Sequence, residues 1–488
     1  MTSLRLWAGR LFVGGLAPIS VYGSRFASNI ILSRLLAPDQ FGTAVAISAL
    51  LGLGSLATDV ALDRFVMIDG TQRGLSTAHL VTAAIGLTLT GILVAAAPFT
   101  AQLFGVGNFA GSFALAAAIS GIAGFANLGV KQIQRNYNYG PDAIAQVAAN
   151  LAGLIALLIA AMLLRTHRAI IVGLGVQSVL YVLLSHLLSP TRYKMSCDRQ
   201  TLFRALAFGL PLTLNGIGLA TVSQVDRILV GHWFGVKELG LYAIVFSMSV
   251  VPTSLIISTF SGPSLSFLLS DNQDASARAV RYRLLLTLYA LISGLYACWL
   301  AVSLDVLVPL IFGPAYRLTV PAHVLFVLIS CIRLLRSGAP TSLLLADGKT
   351  SQLAALNLSA GIGLVVATVC ITFWPTLESM LFGIVIGELI AFTLFFTTLG
   401  RPVREAGSIV ADLVTCISAP VMISVALAWL PEPTWRSRGA LLLIGLSAVA
   451  GQLYVELHRN AKFRAVFAEM PIIGRRLQSL FTRRVCAD

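Results

Sequence analysis

The chain is poor in charge, and in acids most of all. Of its 488 residues 11% are charged, with 20 Asp and Glu against 34 Lys and Arg, while 57% are hydrophobic. Mean hydropathy is +0.87. One water-soluble core cannot absorb that much apolar side chain, so a soluble domain is excluded and a polytopic membrane protein is expected. Six cysteines (Cys197, Cys298, Cys331, Cys370, Cys416, Cys486) stand apart without a CxxC pair, and no two histidines stand at ligand spacing. Isolated packing residues are the reading this favours, with no metal and no cofactor expected. The acids form no DxD-like pair and no predicted outer loop exceeds about a dozen residues, so a membrane-embedded glycan polymerase or glycosyltransferase would lack its acidic cluster and its extramembrane loop. No compact basic domain exists either, so the net charge of +14 points to loops meeting anionic membrane lipids and not to nucleic acid. The first apolar block is too long for the h-region of a cleavable signal peptide, and no Ala-x-Ala-like site follows it, so no cleaved leader is expected.

What the sequence does have is long apolar runs. They lie near 11–34, 41–62, 75–99, 109–130, 143–164, 169–189, 206–232, 239–268, 284–311, 318–345, 350–374, 377–399, 409–430 and 437–457. Each is long enough for the roughly 20 residues that carry a helix across about 30 Å of hydrocarbon. The expected fold is an all-α polytopic membrane protein with about 14 transmembrane helices; barrel strands would alternate over segments of about ten residues, and these runs are apolar all round. Arg5, Arg10, Arg64, Arg73, Lys131, Arg135, the basic residues of 192–204 and 278–283, Lys349, Arg401, Arg404 and the tail fall on one side. Basic loops stay inside, so both termini are expected in the cytoplasm. The hairpin at 163–168, with Arg165 and Arg168 on the outer side, dissents.

A repeat organises the chain. "LLAPDQFGTAVAI" (35–47) lies on "HWFGVKELGLYAIV" (232–245) at a shift of about 200 residues. Asn29 then meets Arg227, and Phe41-Gly42 meets Leu239-Gly240. "LFG" at 103–105 answers "IFG" at 311–313, and the segment from Gln146 resembles the one from Gln352. Anchors in the same order argue for duplication, and an even number of spans between copies makes it a parallel repeat, the plan used by many transporters, with a site between lobes. The division expected is an N-terminal six-helix lobe at 1–190, a cytoplasmic basic linker at 191–205, a C-terminal six-helix lobe at 206–400, two further helices within 401–458 and a basic cytoplasmic tail at 459–488. That tail is read as lying on the anionic inner leaflet.

Charges inside apolar runs mark function candidates. A charge at the bilayer centre costs about 2.5–3.5 kcal/mol even on lenient scales, so it needs a partner or a wet cavity. Arg25 and Asn29 are one helical turn apart in the first span, as are Ser223 and Arg227 in the seventh; Arg333 and Arg336 share a face of the tenth. Asn215, Gln224 and Asp226 add polarity to the seventh span. Such faces suit an anion. Against this, Arg227 can pair structurally with Asp226, and Arg333 or Arg336 can snorkel to the membrane edge. Glu388, in the twelfth span, is either a counter-charge for an arginine or, like Asp226, a carrier of a coupling ion.

The stretch "GLPLTLNGIGLATVSQVDRILVGHWFGVKELGLYAI" (209–244), with "LSRLLAPDQFG" (32–42) and "VKQIQRNYNYG" (130–140), resembles the polysaccharide transporter family. This family holds the O-antigen and exopolysaccharide repeat-unit flippases and is grouped with lipid II flippases and MATE exporters. "FGTAVAI" departs from the pattern in lacking the tyrosine of "LGLYAI". The resemblance implies flipping of an undecaprenyl-diphosphate-linked oligosaccharide across a bacterial inner membrane by alternating access, with Arg25 and Arg227 as the family's arginines. It implies a polyprenyl-diphosphate-linked oligosaccharide as partner, with the pathway's polymerase and glycosyltransferases as further candidates, and a transporter, not an enzyme. A MATE-type cation-coupled drug exporter is the alternative; organic cations would favour buried carboxylates where this chain offers Arg25 and Asn29.

Overall fold

The computed structural model describes residues 2–58, 62–136, 138–269, 275–398, 407–430 and 434–459. Asp59, Arg401, Arg404 and the tail from 460 lie outside the described residues, as does the side chain of Asn215.

Every regular element among the described residues is helical. Nine helical stretches among them are long and apolar enough to cross a membrane, from Gln72–Leu103 to Leu377–Phe395. The first predicted span falls within the helix Thr2–Leu35, and most of the second, 41–62, within Pro38–Thr58. The thirteenth matches Gly407–Trp429 to within a residue at its end, and the fourteenth falls within Trp435–Arg459. Local chemistry sets the helix starts. Pro38 opens its helix, where a missing N–H costs no hydrogen bond, and Asp39 in that first turn complements the positive end of the helix dipole. Thr71 caps Gln72–Leu103 by accepting from the Gly74 N–H at 2.9 Å.

The seventh span and the start of the eighth run together as Arg199–Ser249, broken at Gly235, whose φ of 83° suits a residue without a Cβ, and the eighth continues as Val251–Leu269. The hairpin at 163–168 is a tight turn: Arg165 takes a left-handed conformation (φ 50°) and ends Gly140–Leu164, and Arg168–Leu188 begins three residues later. His167 staples that turn, contacting Gln40 Oε1 through Nδ1 at 2.8 Å and Ser112 Oγ through Nε2 at 2.9 Å.

The helices form two compact units: the described parts of Met1–Ile244 with Pro309–Tyr316, and of Val245–Val308 with Arg317–Asp488. These are divisions by packing, whereas the lobes expected at 1–190 and 206–400 are drawn from the sequence repeat. In the first unit Gly140–Leu164 and Arg168–Leu188 cross where Gly153 and Gly173 meet; a Cβ on Gly153 would stand 2.9 Å from the Gly173 carbonyl oxygen. In the second unit Ile362–Phe373 and Leu377–Thr398 cross at Gly363 and Gly387 in the same manner, a Cβ on Gly387 standing 2.2 Å from the Gly363 Cα. Close backbone approach through small residues is how membrane helices gain packing contact without a hydrophobic driving force. The two crossings join the fifth and sixth spans and the eleventh and twelfth, corresponding members of the repeat.

Trp374, Trp429 and Trp435 are 65%, 84% and 75% exposed and stand at helix ends in the second unit. Amphipathic indoles collect at membrane–water boundaries, so these ends are suited to a headgroup layer.

Candidate functional site

In the first unit Arg25 of the first span lies in the electrostatic field of Arg227 of the seventh. Arg25 lies in Thr2–Leu35 and keeps an exposed side chain, and the charge of Arg227 acts on it. Two cations from different helices therefore share one electrostatic neighbourhood, a place that an anion would stabilise. Asn29 follows Arg25 by one turn and is partly buried. Arg227 donates from a terminal guanidinium nitrogen to Gln224 Oε1 at 3.1 Å, so two predicted residues one turn apart form a unit. The helix Pro38–Thr58 leaves room for that amide at Gly52, where a Cβ would stand 3.0 Å from Gln224 Nε2.

Asp226 is 5% exposed and accepts the Tyr242 hydroxyl at 2.5 Å and the Arg227 backbone N–H at 2.8 Å. Sixteen residues of straight helix would hold positions 226 and 242 about 24 Å apart at 1.5 Å per residue. The chain reversal at Gly235 brings them into contact instead. Close by, Gly42 and Gly240 face each other: a Cβ on Gly240 would stand 3.5 Å from the Gly42 Cα, and one on Gly42 only 1.7 Å from the Val236 carbonyl oxygen. The two glycines that the repeat aligns thus touch in space.

In the second unit Arg333, Arg336 and Glu388 form one cluster. Arg333 donates through Nε at 2.8 Å and lies 2.7 Å away through a terminal nitrogen, both on Glu388 Oε1; Arg336 Nε donates to Oε2 at 2.9 Å. A terminal nitrogen of Arg336 also donates to Asn357 Oδ1 at 3.1 Å, and its guanidinium stands 5.7 Å from the Phe395 ring centre. Glu388 is 2% and Arg336 6% exposed. Glu388 thus holds a guanidinium on each of its oxygens. Of the two readings of Glu388, counter-charge is the one these contacts favour. The snorkelling alternative for Arg336 has no such support, since its side chain is buried against named partners.

A second charged cluster joins Lys131, which lies outside the spans, to the first turn of Gly140–Leu164. Lys131 donates to Asp142 at 2.7 Å, which also accepts from Gln134 at 2.9 Å. Burial opposes the lysine charge, but Tyr181 and Asp142 outweigh it and raise the pKa.

Sequence reasoning missed Tyr242 as the partner of Asp226, although "LGLYAI" was in view, and missed Asn357 and Phe395 around Arg336. The signal for Tyr242 was the motif itself; nothing local marks Asn357 or Phe395, which depend on helix packing. Among the described residues no group of three or more His, Cys, Asp or Glu could hold a metal.

The fold is shared with solved transporters. The lipid II flippase MurJ in an inward closed conformation matches with a TM-score of 0.66 at 11% identity, over 91% of this chain and 99% of that one. An inward-facing multidrug resistance MATE family transporter of the MOP superfamily matches with a TM-score of 0.55 at 14% identity, over 83% and 98%. A eukaryotic MATE transporter matches at 0.54 and 13%, over 86% and 99%. No curated protein matches the sequence. A family model described as polysaccharide biosynthesis protein matches residues 31–321, more than half of the chain, which therefore belongs to that family.

Proposed function

We propose that this protein flips a polyprenyl-diphosphate-linked oligosaccharide repeat unit across the bacterial inner membrane, with both termini cytoplasmic, for exopolysaccharide or O-antigen assembly. The observation that carries the reading is the pairing of Arg25 and Arg227 in one electrostatic neighbourhood of a membrane helix bundle. A diphosphate brings the negative charge that such a pair attracts, and Gln224, beside Arg227, and Asn29 offer amides to phosphate or sugar oxygens. The family supports polysaccharide biosynthesis as the process, and the fold is one also used by a flippase. A headgroup leaving an inside-negative cell gains about 2.3 kcal/mol per elementary charge per 100 mV, so export needs no chemistry from the protein. Partners from the same pathway, the polymerase and glycosyltransferases, would receive or supply the repeat unit.

A MATE-type exporter fits the same fold. Its organic cation would favour an available carboxylate, whereas Asp226 is taken up by Tyr242 and Glu388 by two arginines.

Complementation of an exopolysaccharide flippase deletion by wild type, Arg25→Ala and Arg227→Ala, with membrane abundance measured, tests the reading. Loss of polymer at normal abundance is expected for both variants. Wild-type polymer from both would remove the arginines from the transport path, and fluorescent-cation efflux by the wild type would move the exporter forward.

A further inference from the structure

At one end of the second unit four helices bring their termini together, and one buried group there has no use in the proposed transport site. His323 stands in the first turn of Val320–Ser337 and is 8% exposed. Its Nε2 is buried with no hydrogen-bond partner among the described residues. A buried ring nitrogen without a partner is costly, and such exceptions in folded proteins call for a reason.

The surroundings supply one. The ring faces the backbone carbonyls of Leu300 and Ala301 and lies in the fields of Asp305 and Arg438. Asp305 belongs to Ala275–Phe312 and Arg438 to the first turn of Trp435–Arg459. Those two form a two-pronged clasp, the terminal guanidinium nitrogens donating to Oδ1 at 2.8 Å and Oδ2 at 2.7 Å. Arg438 also donates to the Val302 carbonyl at 2.7 Å. The fourth helix, Leu377–Thr398, contributes Glu378, which accepts from the Thr319 hydroxyl at 2.6 Å. Neither Val251–Leu269 nor the described side chains of Gly407–Trp429 bring another ionisable group to this region. The Asp305 side chain keeps 35% of its surface, so water reaches the clasp.

We propose that His323 is a proton-binding site that controls the Asp305–Arg438 clasp. A neutral ring leaves the clasp undisturbed. A proton arriving from solvent binds Nε2 and creates a cation that repels Arg438 and competes with it for Asp305. The element released is the start of Trp435–Arg459, one of the two helices that lie beyond the duplicated lobes. In the topology favoured by the basic loops this end is the outer one, so the ligand sensed is the proton concentration outside the cell membrane. The inference does not depend on the flippase reading.

Hydrogen exchange of the purified full chain tests it without a transport assay. Protection of the peptide covering 435–445, corrected for intrinsic rates, should fall between pH 8 and pH 4.5 by about tenfold, the factor that one pKa unit of coupling represents. His323→Gln should keep the pH 8 protection throughout. His323→Arg, whose guanidinium stays charged at both pH values, should show the reduced protection already at pH 8. Arg438→Gln should lose the protection at both, which establishes that the peptide reports the clasp. A wild-type protein without pH dependence, or a His323→Gln protein with the wild-type response, would overturn the proposal. Loss of polymer export with an intact exchange response would instead bear on the transport reading alone.

Discussion

Replacing Glu388 by Gln separates a counter-ion from a carrier of a coupling proton, because Gln has the shape of the protonated acid and none of the charge. In the structure the carboxylate receives Arg333 on one oxygen and Arg336 on the other. Arg336, with 8% of its side-chain surface accessible, would be left with Asn357 and the Phe395 face; Arg333, at 25%, recovers some water. Removing one member of a buried ion pair costs about 3–5 kcal/mol, and the partial access of Arg333 places the expectation near the lower end, about 3 kcal/mol. That is a large share of the roughly 5–15 kcal/mol by which folded domains are usually stable. Thermal unfolding of the purified variant and its abundance in membranes give the readout: Glu388→Gln is expected well below wild type on both. Combining it with Arg336→Met should recover part of the loss, since the orphaned charge is then gone. Wild-type stability in the single variant, with altered dependence of transport on ion gradients, would refute the counter-ion account and restore the proton carrier.

Gly42→Ala should lower membrane abundance sharply, because its Cβ would stand 1.7 Å from a backbone oxygen and overpacking of even yielding sites costs about 1–3 kcal/mol; Gly91→Ala, with open space around it, should be neutral or gain up to about 1 kcal/mol of helix propensity. Tyr242→Phe should destabilise by about 1–3 kcal/mol through the loss of a donor to buried Asp226, measured by thermal unfolding. Lys131 has a raised pKa, from Tyr181 and Asp142 acting against burial, so its contribution is complete below about 10.4, the unfolded value, and is lost as pH rises through the folded value. The stability difference between wild type and Lys131→Met should therefore be constant near neutrality and shrink only in alkali.

Much of this molecule was legible in the sequence because a membrane narrows the choices. Apolar runs of span length admit only helices, and an arginine within such a run must find a partner or water, so Arg25, Arg227, Arg333 and Arg336 announced themselves. Spacing went further for Arg333 and Arg336, which share a face and do meet a single group, Glu388. Partner choice was not legible. Asp226 stands next to Arg227 in the chain, yet adjacent helical residues point in different directions, and the hydroxyl it accepts comes from sixteen residues further on after the break at Gly235. The His323 cluster was invisible for a similar reason: Asp305, His323 and Arg438 come from three helices and have no periodic relation.

The duplication explains why the first-copy motif looks incomplete. Under the alignment that sets Asn29 on Arg227 and Gly42 on Gly240, Asp226 falls on Ser28 and Tyr242 on Ala44. Both partners of the buried hydrogen bond are missing from the first copy together, and Ala44 there is 1% exposed, with no space left for a ring. A tyrosine hydroxyl buried without an acceptor would cost free energy, and so would an aspartate without a donor, so a copy that lacks both avoids either cost. The glycines obey a different constraint. They face each other across one helix crossing, so a side chain at either position meets the other copy's backbone or side chains, and both copies have kept glycine. Steric complementarity at that crossing has held the repeat symmetric, while polar chemistry a few turns away has diverged, leaving the acid, the arginine and the tyrosine in the second copy and a serine, an asparagine and an alanine in the first.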